Sequence, residues 1–269
     1  MKRYKIEKDG KLEVGQVLYT KHFKLTLDRK LCKGCQLCRL ACPKHAIILK
    51  ENTVEINENV CDFHGICAVL CPFSAIYITT NGINELPAVK KEVFPSLIRD
   101  IKVQKDKCKP GCKKCEETCP LGIIKVNNNE VKIETELCAG CQICWMECPE
   151  GAIEVTKFIE GSIQIDTDKC EDSCTKCMDV CPVNAIGITA EGKVCAKDMN
   201  CIYCGACLQV CPNKEALKIE RTAFRHTPIN SGAWNKGLEK LTSHKGLMRE
   251  LGAKNADKAR KAIENLEEK

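Results

Sequence analysis

The chain has 269 residues, of which 24 are cysteine and only 4% aromatic, with a formal net charge of +6. An ordinary core of that size would use far more aromatic surface, since aromatic side chains dominate core burial. Met1-Lys2-Arg3-Tyr4-Lys5 is followed by no apolar signal region, and no stretch approaches the ~18 apolar residues of a membrane helix, so the reading is a cytoplasmic chain with reduced thiols, neither a disulfide scaffold nor a membrane protein.

In chain order, residues 1–20 predict a hairpin. Tyr4 and Ile6 alternate, Asp9-Gly10 turns, and Leu12 and Val14 alternate again. This hairpin either adds an edge to the next sheet or docks on a partner. Six runs follow. They are Cys32, Cys35, Cys38 and Cys42; Cys61, His64, Cys67 and Cys71; Cys108, Cys112, Cys115 and Cys119; Cys138, Cys141, Cys144 and Cys148; Cys170, Cys174, Cys177 and Cys181; and Cys201, Cys204, Cys207 and Cys211. Proline follows each run, at Pro43, Pro72, Pro120, Pro149, Pro182 and Pro212. Only Cys195 stands outside them and is expected to be a free thiol.

Four runs space their members by two, two and three residues, and the third and fifth runs have one more residue in the first gap. This spacing resembles the ferredoxin run for [4Fe–4S] clusters, whose fourth cysteine ligates the other cluster of a pair. Three thiolates at two-residue intervals wrap one cube, and small residues such as Gly34, Gly65, Gly140 and Gly205 let the backbone approach its sulfides. Structural zinc uses two separated pairs of ligands, which six such runs do not offer.

First-cysteine spacings of 29, 47, 30, 32 and 31 leave a long gap holding Pro87 and Pro95 between the second and third runs. Pairing first with second, third with fourth and fifth with sixth follows. A fourth-to-fifth pair is also allowed by spacing, but alternating segments decide against it. Phe23–Leu27 and Ala75–Thr79 bracket the first pair, Asp100–Val103 and Ala152–Val155 the second, and Ser162–Ile165 and Leu217–Glu220 the third. The expected fold is α+β, with three tandem two-cluster bacterial-ferredoxin-like modules and a helical C-terminal arm. The boundaries are 1–20 hairpin, 21–81 first module, 82–99 linker, 100–160 second module, 161–224 third module, and 225–269 cysteine-free helical docking arm.

Crossing the fourth ligands gives six metal sets. The first is Cys32, Cys35, Cys38 and Cys71, and the second Cys61, His64, Cys67 and Cys42. The third is Cys108, Cys112, Cys115 and Cys148, and the fourth Cys138, Cys141, Cys144 and Cys119. The fifth is Cys170, Cys174, Cys177 and Cys211, and the sixth Cys201, Cys204, Cys207 and Cys181. Six [4Fe–4S] clusters are the expected cofactors. The second is either ligated by His64 or is a [3Fe–4S] cluster with His64 turned away. His45, just past Cys42-Pro43, is expected on the surface beside a cluster.

Residues 221–269 carry 11 Lys/Arg against 6 Asp/Glu. Their apolar stripes, Leu238, Leu241, Leu247, Met248 and Leu251, then Ala256, Ala259, Ile263 and Leu266 behind Asn255 as N-cap, are too narrow for a core of their own. Without this tail the modules are near neutral, and six cluster units of roughly −2 each bring them to about −10. With few aromatics for stacking, nucleic acid is excluded as a partner. No Ser/His/Asp set, phosphate loop or paired carboxylates appear, so no catalytic residues are expected.

Cys61-Asp62-Phe63-His64-Gly65-Ile66-Cys67, the linker Glu92–Asp100 and the stretch His226–Lys236 together resemble the polyferredoxin subunit of archaeal formylmethanofuran dehydrogenase complexes. His64 departs from the cysteine usual in its slot, and longer members carry a further pair of cysteine runs. The resemblance implies a non-catalytic electron-transfer subunit. It would carry low-potential electrons to or from the pterin-metal subunit, which reduces CO2 to a formyl group in methanogenesis or runs in reverse. Its partners would be the other subunits and an external donor or acceptor such as ferredoxin or heterodisulfide reductase. The alternatives are a polyferredoxin of a hydrogenase or heterodisulfide reductase system, and a structural iron–sulfur scaffold.

Overall fold

The computed structural model describes residues 2–18, 21–50, 53–127, 130–171, 173–249 and 251–252. Strands β1 (Lys2–Lys8), β2 (Lys11–Leu18) and β3 (Lys21–Asp28) form a meander. Asp9 and Gly10 are both left-handed, as a two-residue hairpin turn requires. Then follow α1 (Leu37–Ala41), the hairpin β4 (Ile47–Lys50) and β5 (Thr53–Ile56), α2 (Ile66–Leu70), β6 (Ile76–Thr80) and β7 (Ile83–Asn84). β3 pairs antiparallel with β6, Leu25 opposite Ile78 and Leu27 opposite Ile76. The sheet order is β1-β2-β3-β6-β7. The N-terminal hairpin is thus an edge of the first unit's own sheet, with Leu12 and Val14 fully buried.

The second unit repeats the plan more sparsely. After α3 (Pro87–Lys90) come β8 (Ile101–Val103), α4 (Lys114–Thr118), the hairpin β9 (Ile124–Asn127) and β10 (Glu130–Ile133), α5 (Ile143–Met146) and β11 (Ile153–Val155). The third has β12 (Ile159–Ile165), α6 (Lys176–Asp179), the hairpin β13 (Ile186–Ile188) and β14 (Val194–Ala196), α7 (Ala206–Val210) and β15 (Leu217–Phe224). β8 pairs with β11 and β12 with β15, both antiparallel. Strand pairing therefore joins the third run with the fourth and the fifth with the sixth.

Three boundaries move. β7 carries the first sheet past residue 81, and β12 begins two residues before 161. The segment 82–99 is not a bare linker: it holds β7 and α3, buries Phe94, and is strapped to residues 225–227. Ile98 N–H donates to Arg225 O at 3.0 Å, and Thr227 N–H to Ser96 O at 2.9 Å. No helix among the described residues is long and apolar enough to cross a membrane.

The arm departs most from expectation, because its first half is part of the fold. In α8 (Gly232–Glu239), capped by the Ser231 hydroxyl accepting Trp234 N–H, Trp234 and Leu238 are buried, as is Leu241 just beyond. A Cβ on Gly237 would stand 2.5 Å from Ile66 Cδ1, so the helix lies directly on the second run. Ser243 N–H donates to Arg221 O at 2.8 Å, tying the arm to the third unit as well. The Asn255–Leu266 stretch lies outside the described residues. Trp234→Ala is expected to cost about 3–5 kcal/mol, as for other buried Trp side chains. An unchanged midpoint in an anaerobic urea titration would place the arm outside the cooperative unit.

Candidate functional site

The cysteine runs share one backbone device. In the four runs with two-residue gaps, the residues on both sides of the second member are left-handed. These are Gly34 and Gln36, Phe63 and Gly65, Gly140 and Gln142, and Tyr203 and Gly205. Two such residues in succession curl the chain around the member between them. In each of these pairs one is non-glycine, a conformation held only when the surroundings demand it. His64 sits in this curl in the same register as Cys35, Cys141 and Cys204. In the two longer runs a single left-handed residue, Gly111 or Ser173, precedes the second cysteine.

The proline turns the fourth cysteine away from its own run. The third residue beyond that cysteine is left-handed in five runs: His45, Ser74, Gly122, Gly151 and Asn184. This aims the next N–H back at sulfur. Ala75, Ala152 and Ala185 donate to the Sγ atoms of Cys71, Cys148 and Cys181 at 3.2–3.3 Å. Gly140 and Tyr203 likewise donate to Cys138 and Cys201 at 3.4 Å. Such bonds stabilise sulfur carrying negative charge. His45 is a surface turn residue.

Three hollows show which side chains this brings together. One is lined by Cys42, Cys61, His64 and Cys67. A second is lined by Cys119, Cys138, Cys141 and Cys144. The third is lined by Cys170, Cys174, Cys177 and Cys211. Each holds three members of one run and the fourth cysteine of its partner run, matching the second, fourth and fifth sets. For the first set, Cys35 and Cys38 lie within electrostatic reach of both Cys32 and Cys71. For the sixth, Cys207 is within reach of Cys181, Cys201 and Cys204. In the third, Cys115 lies near Cys108 and Cys112. Among the described residues no three His, Cys, Asp or Glu side chains converge on a single ion.

Burial pushes these thiols up, and neighbouring thiol charge adds to it. Cys141 and Cys204 rise to about 11, and Cys144 and Cys201 to about 12. Such sulfurs are stable as thiolates only against compensating positive charge, which the irons of a cluster supply. His64 moves the other way: burial holds its imidazole below its ordinary value, hence neutral. Its Nδ1 accepts Ile66 N–H at 3.4 Å, while its buried Nε2 has no hydrogen-bond partner. An orphaned imidazole nitrogen beside three thiols fits a metal ligand. The ring also borders an open, largely apolar hollow lined by Phe23, Phe63 and Phe94, with Lys91, Lys236 and Lys240 around it.

Cys195 lines none of these three hollows. It lies in β14 opposite Gly187. Cys195→Ser is expected to leave the iron content unchanged; loss of four irons per chain would make it a ligand.

Sequence patterns do not reveal the three seams between the units. At one, Arg99 donates to Cys71 O and Pro72 O of the first unit, each at 2.8 Å, and to Cys138 O of the second. At another, Arg221 donates Nε–H to Tyr203 O at 2.7 Å and Nη2–H to Cys204 O at 3.0 Å, with Cys35 of the first unit within electrostatic reach. At the last, Lys157 lies near Cys141 and Cys201, and Asn200 donates to Cys141 O at 3.4 Å. The first set therefore neighbours the fourth and the sixth, and the fourth neighbours the sixth. In sequence, Arg221 and Lys157 are indistinguishable from solvated strand-end cations.

Two family descriptions match, both as a 4Fe-4S dicluster domain. One covers residues 24–72 and 162–212, the other 137–185. The last spans the fourth and fifth runs, which the strands assign to different units. The pyruvate synthase subunit PorD of Methanocaldococcus jannaschii is 43% identical over 61 residues, which are 23% of this chain and 67% of that protein. The electron transport protein HydN of Escherichia coli is 28% identical over 179 residues, 59% of this chain and 83% of that one. Across the curated relatives the share of the relative covered runs from 18% to 84%. Among solved structures, a chain of the formate dehydrogenase–heterodisulfide reductase–formylmethanofuran dehydrogenase complex of Methanospirillum hungatei superposes with a TM-score of 0.81 and 27% identity. The match covers 90% of this chain and 92% of that one.

Proposed function

We propose that this chain, which belongs to the 4Fe-4S dicluster family of ferredoxin-type proteins, is a polyferredoxin built as a branched electron relay. Each of its three units is read as a two-cluster module, and the six sets above as the ligands of six [4Fe–4S] clusters. The chain has no catalysis of its own. It passes low-potential electrons to or from the pterin-metal subunit of a formylmethanofuran dehydrogenase, where CO2 reduction to a formyl group takes place.

The observation that carries this reading is the meeting of the first, fourth and sixth sets at the seams. Each unit contributes one inner set to that centre and keeps one outer set, the second, third or fifth, toward its rim. Cys108, Cys112 and Cys148 of the third set and all four cysteines of the fifth are half-exposed; Cys42, Cys61 and Cys67 of the second are buried, with His64 facing the open hollow beside them. An electron accepted at any outer cluster reaches the other two through the shared centre. A scaffold that used clusters only to hold its fold would have no need to bring one set from each unit together.

The near full-length likeness to a chain of the M. hungatei complex supports the formylmethanofuran dehydrogenase assignment. The same complex includes heterodisulfide reductase, so a polyferredoxin serving that system is the second reading. Anaerobic purification of the native assembly separates them. A molybdenum or tungsten pterin subunit co-purifying with the chain supports the first. A heterodisulfide reductase or hydrogenase recovered without it supports the second. Clusters that no physiological low-potential reductant can reduce would defeat both.

A further inference from the structure

Arg221 is buried and Arg99 half-buried, and among the described residues neither has a carboxylate within ion-pair distance. A buried guanidinium without an anion is costly, and arginine does not escape by losing its proton. Every polar group that the two side chains bond is a backbone carbonyl, five of the six being carbonyls of residues within two positions of a proposed ligand. Those carbonyls orient the guanidiniums without neutralising them. The negative charge they face is chiefly that of the cysteine sets: Cys71 and Cys138, with Glu136 contributing least, for Arg99, and Cys204, Cys35, Cys201 and Cys207 for Arg221. Lys157 holds the third seam in a milder form. It is half-buried, sits 4.7 Å over the Tyr203 ring, and has Asp198 beside it.

The cations are thus unevenly placed. All three lie between inner sets; among the described residues the third run and the hollow of the fifth set have no buried cation of this kind, while at the second set Arg3, which donates to Glu58 O, faces Cys61. We infer that Arg99, Arg221 and Lys157 are positioning residues that hold the reduction potentials of the three inner clusters above those of the third and fifth. The inference rests on the relay reading. On reduction each cluster core takes one electron, from 2+ to 1+, and no bond forms or breaks. A fixed positive charge beside it stabilises the added electron, and more strongly in a dry seam than in water. Electrons arriving along the arms of the second and third units then collect in the centre, where all three arms share them. The direction of net flow is left to whichever partner withdraws them.

The test is an EPR-monitored redox titration of the anaerobically prepared full chain, with iron counted on each sample. Arg221→Gln is expected to make two of the six clusters at least tenfold harder to reduce, a fall of about 59 mV for a one-electron couple, and to leave the other four in place. Arg221→Lys should recover most of the shift. Arg99→Gln should lower two clusters as well, and the double variant should lower one cluster, that of the first set, by both steps. Six unmoved midpoints in iron-replete variants would overturn the inference. So would a uniform shift of all six, a Lys variant falling as far as Gln, or loss of iron in both Gln variants, which would make the arginines braces only. A wild-type chain with few irons or with zinc would instead defeat the relay reading itself.

Discussion

Prepared without exposure to oxygen, the chain is expected to bind about 24 irons, four for each of six cubes, and to lose its fold when they are stripped. Both expectations come from what fills the interior. In the second unit the paired strands β8 and β11 are three residues each and the helices four or five. Its own buried cluster holds only Ile123, Ile124, Val126, Ile153 and Val155 besides two cysteines. That is far too little apolar surface for about 60 residues to stand alone, since domains this small already need metals or disulfides when their cores are thin. The remaining interior is the space between thiols. Structural metal sites of this kind put the binding energy directly into folding, on the order of 10 kcal/mol per zinc in small domains, and each unit here has two sites. Removing iron with a chelator under reducing conditions should therefore collapse amide protection in the second and third units first. The first unit, backed by its five-stranded sheet and α8, should yield last. A chelated chain that keeps its protection pattern would show that the hollows are not needed for the fold. An iron content near eight, or stoichiometric zinc, would show that most of the sets are misassigned.

The cysteine framework was legible because it is local. A run of four ligands and a proline fixes a turn within twelve or thirteen residues, and the left-handed residues around Cys35, Cys141 and Cys204 follow from the need to wrap that turn about one centre. The pairing of runs was legible from alternation alone, since a strand such as Ile101–Val103 can bury one face only against a partner. Glycine marked the curl imperfectly: it stands before the second member at Gly34 and Gly140 but after it at Gly65 and Gly205, and Phe63 and Tyr203 take the other strained place without any sequence signal. What lay beyond reach was long-range. Nothing in Glu220-Arg221-Thr222 tells that the guanidinium turns inward to a seam 17 or more residues from its partners in the chain. Likewise the stripe Trp234, Leu238, Leu241 is as suitable for a foreign groove as for Ile66, and only the close approach at Gly237 settles which it fills.

His64→Cys is expected to lower one midpoint potential by on the order of 100 mV while leaving the iron count as it was. The backbone argues first. Phe63 at φ 60° and Gly65 at φ 88° curl around His64 as their counterparts curl around Cys204, and a bulky residue like Phe63 is not held left-handed without cause. The side chain argues second. The imidazole lines the same hollow as Cys42, Cys61 and Cys67, and its Nδ1 is engaged by Ile66 N–H. Ligation through the buried, unpartnered Nε2 puts the ring's one proton on Nδ1, so the 3.4 Å contact from Ile66 N–H is given up when iron binds; burial keeps the ring neutral, the form that ligates. Exchanging a neutral ring for a thiolate adds about one negative charge to the ligand shell. The reduced cluster feels that charge most, so reduction becomes harder. Histidine ligands raise the potentials of two-iron centres by several hundred millivolts, and one ligand on a cube should give a fraction of that. With histidine in place the second cluster is an easy landing point for an electron at the rim of the first unit, beside the hollow ringed by Lys91, Lys236 and Lys240. The rival arrangement, a three-iron cluster with His64 turned away, makes the opposite forecast. There the new thiol would complete a vacant corner, and His64→Cys would gain one iron per chain. That gain, or a titration in which no midpoint moves, would remove His64 from the ligand set.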